Sequence, residues 1–81
     1  MTFQALRMLN HLLEIRDSLI ETDTDGVQWA QVCTADMTIP GIETKQIAGY
    51  LSALQTAGQY RKTNKYFGKV RLPERYQSLT P

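Results

Sequence analysis

The chain has 81 residues, 42% of them hydrophobic and 21% charged, with 5 glycines, 3 prolines and 1 cysteine. That length holds one small domain, the composition excludes disordered, collagen-like and low-complexity classes, and a lone cysteine excludes an internal disulfide. No apolar run reaches the roughly 20 residues of a membrane span, and the N-terminus lacks the basic-then-apolar pattern of a secretion signal. A cytoplasmic protein without membrane contact is therefore expected.

The formal net charge of +1 conceals an asymmetry. Residues 1–40 carry Arg7 and Arg16 against Glu14, Asp17, Glu21, Asp23, Asp25 and Asp36, a balance of −4. Residues 41–81 carry Lys45, Arg61, Lys62, Lys65, Lys69, Arg71 and Arg75 against Glu43 and Glu74, a balance of +5. A basic half of this kind points to a polyanionic partner if its charges share a face.

Thr2 to about Glu21 is predicted to be a helix, with Thr2 as N-cap and no Gly or Pro in its path. Ala5, Met8, Leu12, Ile15 and Leu19 form one apolar stripe, and Leu6, Leu9, Leu13 and Ile20 form a second beside it. Two readings remain open for this wide arc: a core helix packed on both flanks, or one stripe inside and the other against a second copy, a homodimer through helix 2–21. His11 sits on the polar side with Arg7 and Glu14, and no second histidine exists for a metal site.

Glu21-Thr22-Asp23-Thr24-Asp25-Gly26 comes close to the start of a calcium-binding EF-hand loop. It begins with Glu rather than Asp, and its twelfth position, Val32, offers no carboxylate, so a solvated acidic turn is expected. Val27 to Trp29 reads as a short strand or as the lead-in to a helix over about Gln28–Ala35, with Trp29, Val32 and Cys33 on its inner face. Cys33 is expected to be a small buried hydrophobe, because no neighbouring His or second Cys completes a metal or nucleophile set. Pro40 forces Ile39 out of helical geometry, so Asp36–Gly41 is a break.

A further helix is predicted from about Glu43 to Ala57, with Thr44 as N-cap, Ile47, Leu51 and Leu54 on one face and Gly58 as the stop signal. Beyond it, residues 59–62 and 66–72 read as two strands around Thr63-Asn64-Lys65. In the second strand Tyr66, Gly68, Val70 and Leu72 share one face, and Phe67, Lys69 and Arg71 share the other.

The segment 43–72, ETKQIAGYLSALQTAGQYRKTNKYFGKVRL, resembles the recognition helix and wing of winged helix-turn-helix proteins, in particular the small single-domain bacterial and phage regulators. In that family an Ile or Val, a Leu four later and a Leu three beyond that pin the recognition helix, and a glycine precedes the wing. Ile47, Leu51, Leu54 and Gly58 hold those positions, and Gln59-Tyr60-Arg61-Lys62 opens the wing. The link Asp36–Ile42, DMTIPGI, is longer than the family's tight turn. The resemblance implies a mainly α fold with a small β-hairpin, three helices plus a wing, spanning residues 1–73, with 74–81 as a loose tail.

It also implies a DNA-binding regulator of transcription whose partner is double-stranded DNA. If helix 43–57 enters a major groove, Lys45, Gln46, Gly49 and Ser52 are the base-reading candidates. Thr44, Tyr50, Arg61, Lys62, Lys65, Lys69 and Arg71 are the candidates for phosphate contact. About four neutralised phosphates would give log K a slope near −3.6 against log salt. The alternative is a winged-helix protein-interaction module that does not bind DNA. With no Gly-rich phosphate loop, nucleophile elbow or metal-ligand cluster in the sequence, no catalytic residue, metal or cofactor is assigned, and an enzyme is not expected.

Overall fold

A computed structural model describes residues 2–73, so the expected tail at 74–81 lies outside the described residues. The chain forms α1 (Phe3–Ile15), β1 (Ile20–Thr22), β2 (Gln28–Cys33), α2 (Thr44–Thr56), β3 (Tyr60–Lys62) and β4 (Phe67–Arg71). The strands make one antiparallel sheet in the order β1-β2-β4-β3. The expected three-helix, mainly α winged helix-turn-helix architecture is therefore incorrect: the fold is α+β, with two helices and a four-stranded sheet.

The first difference lies at the end of α1. The Thr2 hydroxyl accepts a hydrogen bond from the Ala5 N–H at 3.2 Å, as an N-cap should. The helix stops at Ile15 rather than Glu21, with Arg16 extended at φ −60° and ψ 146°. The Arg16 guanidinium donates back to the Leu13 carbonyl at the helix end. Beyond it the Asp17 N–H donates to the Gln31 carbonyl at 2.8 Å and the Gln31 N–H to the Leu19 carbonyl at 3.2 Å. These sheet bonds replace the helical ones that the apolar spacing of Leu19 and Ile20 imitates.

The second difference is the missing middle helix. Gln28–Cys33 is the central strand β2, in which Ala30 and Val32 are buried in the core while Trp29 and Cys33 face the other side of the sheet. Cys33 is exposed, because that side carries no helix. In place of a helix, the 36–42 link tucks Met37, Ile39 and Ile42 into the core. Ile39-Pro40-Gly41-Ile42 forms a tight turn closed by the Ile42 N–H on the Ile39 carbonyl at 3.1 Å. Gly41 stands at φ +84°, the position a type II turn requires after its proline.

Both helices pack on one face of the sheet. Met8, Leu12, Leu54, Val32, Val70 and Leu72 are fully buried there, each side chain contributing about 1.5–3 kcal/mol. Leu9 and Leu13, from the second stripe of α1, are buried in the same core. Leu6 and Ile15 stay exposed on α1, as do Leu19 and Ile20 beyond its end, but both stripes contribute to one core instead of dividing into an inner and an outer one, which gives no support to a dimer through helix 2–21. Among the described residues no helix is long and apolar enough to cross a membrane.

α2 runs from Thr44 to Thr56. Glu43 occupies the N-cap without a side-chain cap bond, and Thr44, expected as the cap, is the first helical residue. Its end is closed by the Gly58 N–H on the Gln55 carbonyl (3.0 Å) and the Gln59 N–H on the Leu54 carbonyl (2.9 Å). This pair of bonds is the Schellman arrangement that hands the chain directly to β3.

Candidate nucleic-acid interface

α2 turns Ile47 and Leu54 into the core, with Tyr50 and Leu51 half-buried beside them. A helix advances about 100° per residue, so Lys45, Gly49, Ser52 and Thr56 project away from that core, and all four are exposed. Gln46 is exposed too, on the flank of the helix. A Cβ added to Gly49 would meet nothing within 4 Å, which leaves the backbone there open to close approach. Lys45 is ion-paired with Glu43 at 3.3 Å, both well exposed. Tyr50, a phosphate-contact candidate, is half-buried with its ring packed against the core.

The β3–β4 hairpin lies alongside α2 with its tip toward the N-terminal end of the helix. Asn64 shapes that tip: its side-chain oxygen accepts from the N–H groups of Tyr66 (2.8 Å) and Phe67 (3.0 Å). Between helix and hairpin runs an open groove of about 520 Å³. Thr44, Ala48, Ser52 and Gln55 line its helix side, Lys62 and Lys65 its hairpin side, and Thr34, Asp36 and Met37 its end. Ile47, Leu51 and the Tyr60 ring complete it.

Tyr60 joins the groove to the sheet. Its ring crosses β4 at Gly68, and Thr34 lines the groove beside it. Burial pushes the phenol above its usual range.

The five wing cations do not share a face. Lys62 and Lys65 line the groove beside α2, whereas on the helix-free side of the sheet Arg61 stands opposite Lys69, Lys69 opposite Gln31 and Arg71 opposite Trp29. There Arg61 lies 4.1 Å above the Trp29 ring and 3.9 Å from the Asp23 carboxylate, and Lys69 is paired with Glu21. Thr44, Ser52, Lys62 and Lys65 are thus brought together, with Lys45 and Gly49 on the adjoining face of the helix.

Residue spacing alone does not reveal the Asp23–Trp29–Arg61 cluster. The Trp29 indole N–H donates to Asp23 Oδ2 at 3.0 Å. The other oxygen of Asp23 accepts from the N–H groups of Asp25 and Val27, each at 2.9 Å. The Trp29 bond first, and the backbone bond from Val27 second, hold the Asp23 carboxyl below its usual range. One oxygen of Asp23 therefore closes the turn, the other reaches Trp29 and Arg61, and Glu21 turns to Lys69 on β4. The Asp-x-Asp-Gly spacing signals the turn, but the reach of Asp23 to Trp29 needs the β1–β2 register.

No family model, curated protein or solved structure matches the chain.

Proposed function

We propose that this chain binds double-stranded DNA and acts in the regulation of transcription, with α2 in the major groove and Lys62 and Lys65 at the phosphates beside it. The observation that carries this reading is the shared groove: a duplex laid against the exposed face of α2 meets both hairpin lysines. Lys45, Gln46 and Ser52 supply hydrogen-bonding groups for base edges, and Gly49 removes bulk where the helix approaches them. Thr44, in the first turn, supplies a hydroxyl and a backbone N–H for a phosphate. Arg61, Lys69 and Arg71 take no part in this contact.

The apolar lining of the groove, from Met37, Ile47 and Leu51, favours a second reading in which a protein segment occupies it. A gel-shift experiment with mixed duplex DNA at low salt separates the two. DNA binding predicts retarded complexes that are lost in Lys62→Glu/Lys65→Glu and kept in Lys69→Gln. Undetectable binding by the folded wild type overturns it.

A further inference from the structure

Among the described residues, the two outer strands of the sheet carry opposite charge and complementary outward-facing backbone groups. In the β1–β2 pair, the Asp23 N–H donates to the Val27 carbonyl (2.9 Å) and the Gln31 N–H to the Leu19 carbonyl (3.2 Å). Hydrogen-bonded pairs alternate along an antiparallel ladder, so Glu21 bonds inward to Trp29, and Ile20 and Thr22 turn their N–H and C=O groups outward. In the β3–β4 pair, the Arg71 N–H donates to the Gln59 carbonyl (3.0 Å) and the Thr63 N–H to the Phe67 carbonyl (3.2 Å). Arg61 therefore bonds inward to Lys69, and Tyr60 and Lys62 turn theirs outward.

We infer that β3 of one copy pairs antiparallel with β1 of a second copy, in a head-to-tail contact that continues the sheet. With four alternating strands, β1 and β3 run in opposite directions, so addition in this sense preserves the antiparallel pattern and keeps every helix on the same side. The register that joins the outward groups sets Thr22 opposite Tyr60 of the second copy and Ile20 opposite its Lys62. Glu21 then stands opposite the second copy's Arg61, on the helix-free face that both side chains already occupy. Both side chains are 58% exposed, so each has surface to give to a new partner.

Charge decides against the symmetric alternatives. In the registers that join the outward groups, a β1–β1 contact would oppose two Glu21 side chains, with Asp17 and Asp23 flanking each, and a β3–β3 contact would oppose two Arg61 side chains, with Lys62 beside each. Like charges directly across a strand pair are unfavourable, and opposite charges are favourable. A charged edge that deters self-pairing becomes selective once the other edge carries the opposite sign. A head-to-tail contact does not close on itself after two copies. Strand twist turns each successive four-stranded copy by about 80–100°. Three residues per strand make the contact weak, so assembly grows with concentration.

Sedimentation velocity on the full chain tests this. Wild-type protein is expected to form species beyond the monomer as concentration rises and to return to monomer in high salt. Glu21→Lys and Arg61→Glu are each expected to remain monomeric alone, because each then sets like charges across the contact. Their equimolar mixture is expected to assemble, since the two reversed side chains meet as opposites and so do the two unchanged ones. Thr22→Pro removes an outward N–H without changing charge and is expected to weaken assembly, which keeps the test open if a charge reversal prevents folding. Circular dichroism establishes folding of each variant. A wild type that stays monomeric, single variants that assemble as wild type does, or a mixture of folded variants that stays monomeric overturns the inference. These variants leave the Lys62 and Lys65 side chains in place, so DNA binding is read separately.

Discussion

Tyr60 lies directly against the bare backbone of Gly68: a Cβ at position 68 would stand 2.1 Å from the Tyr60 hydroxyl and 2.4 Å from the ring carbon that bears it. The ring has little room to yield, since Tyr60 is 3% exposed. This contact joins α2's connection to β3 and the centre of β4 around one side chain.

Gly68→Ala is therefore expected to destabilise the fold by about 1–3 kcal/mol, the usual cost of overpacking a filled core. The midpoint of urea unfolding should fall accordingly. Tyr60→Ala in the same chain should recover part of the Gly68→Ala cost, because the two residues share one volume. Strict additivity of the two substitutions would show that Tyr60 does not occupy that space.

The turn before α2 poses a choice between two costs. A Cβ at Gly41 would lie 2.7 Å from Arg7 Nη1, and Gly41 also holds φ +84°. The Arg7 guanidinium is the mobile end of a long side chain, although its Nη2 donates to the Pro40 carbonyl at 2.6 Å. The backbone conformation is the larger obstacle, at about 1–2 kcal/mol for a residue with a Cβ. Gly41→Ala should thus lower stability by about that amount in both wild-type and Arg7→Ala backgrounds. Disappearance of the cost in Arg7→Ala would assign it to the side-chain clash instead.

Asp23 predicts an acid-sensitive signal from the chain's one tryptophan. The Trp29 indole bond and the Val27 backbone bond favour the carboxylate, so the folded pKa lies below the unfolded one. The stabilisation is complete above the unfolded value of about 4 and is lost as pH falls through the lower folded value. Trp29 emission should change over that acid interval as the indole loses its charged acceptor. Asp23→Asn should remove that component, and an unchanged acid transition in this variant would place its origin at another group.

The parts of the fold that can be read from the sequence are those whose local signals agree with their tertiary environment. In β4, Gly68, Val70 and Leu72 alternate with Phe67, Lys69 and Arg71, and burial follows that alternation. α2 and its Gly58 stop are visible because the apolar spacing and the terminating residue coincide. The middle of the chain misleads because its local signals conflict with its partners. Leu19 and Ile20 continue the helical spacing of α1, yet the backbone beside them pairs with β2. Trp29, Val32 and Cys33 suggest a helix face, but β2 is held between β1 and β4 and sends Trp29 and Cys33 to the side opposite Val32.

The candidate site divides for a related reason. Closeness in sequence gathers Arg61, Lys62, Lys65, Lys69 and Arg71 into one basic wing. The two-residue period of the strands sends Arg61, Lys69 and Arg71 to the helix-free face, and only Lys62 and Lys65 remain beside α2. Tyr60 enters the groove unannounced, because the placement of its ring depends on the gap at Gly68.

A DNA contact formed by α2 and the two groove lysines is tested by a salt titration of binding to a labelled duplex. Fluorescence anisotropy of the wild type should give log K a slope near −1.8 against log salt, about 0.9 for each of two neutralised phosphates. Lys62→Gln/Lys65→Gln should bind weakly with a slope near zero, while Lys69→Gln/Arg71→Gln should match the wild type. Loss of binding in Lys69→Gln/Arg71→Gln with retention in Lys62→Gln/Lys65→Gln would place the contact on the other face of the sheet and contradict the account.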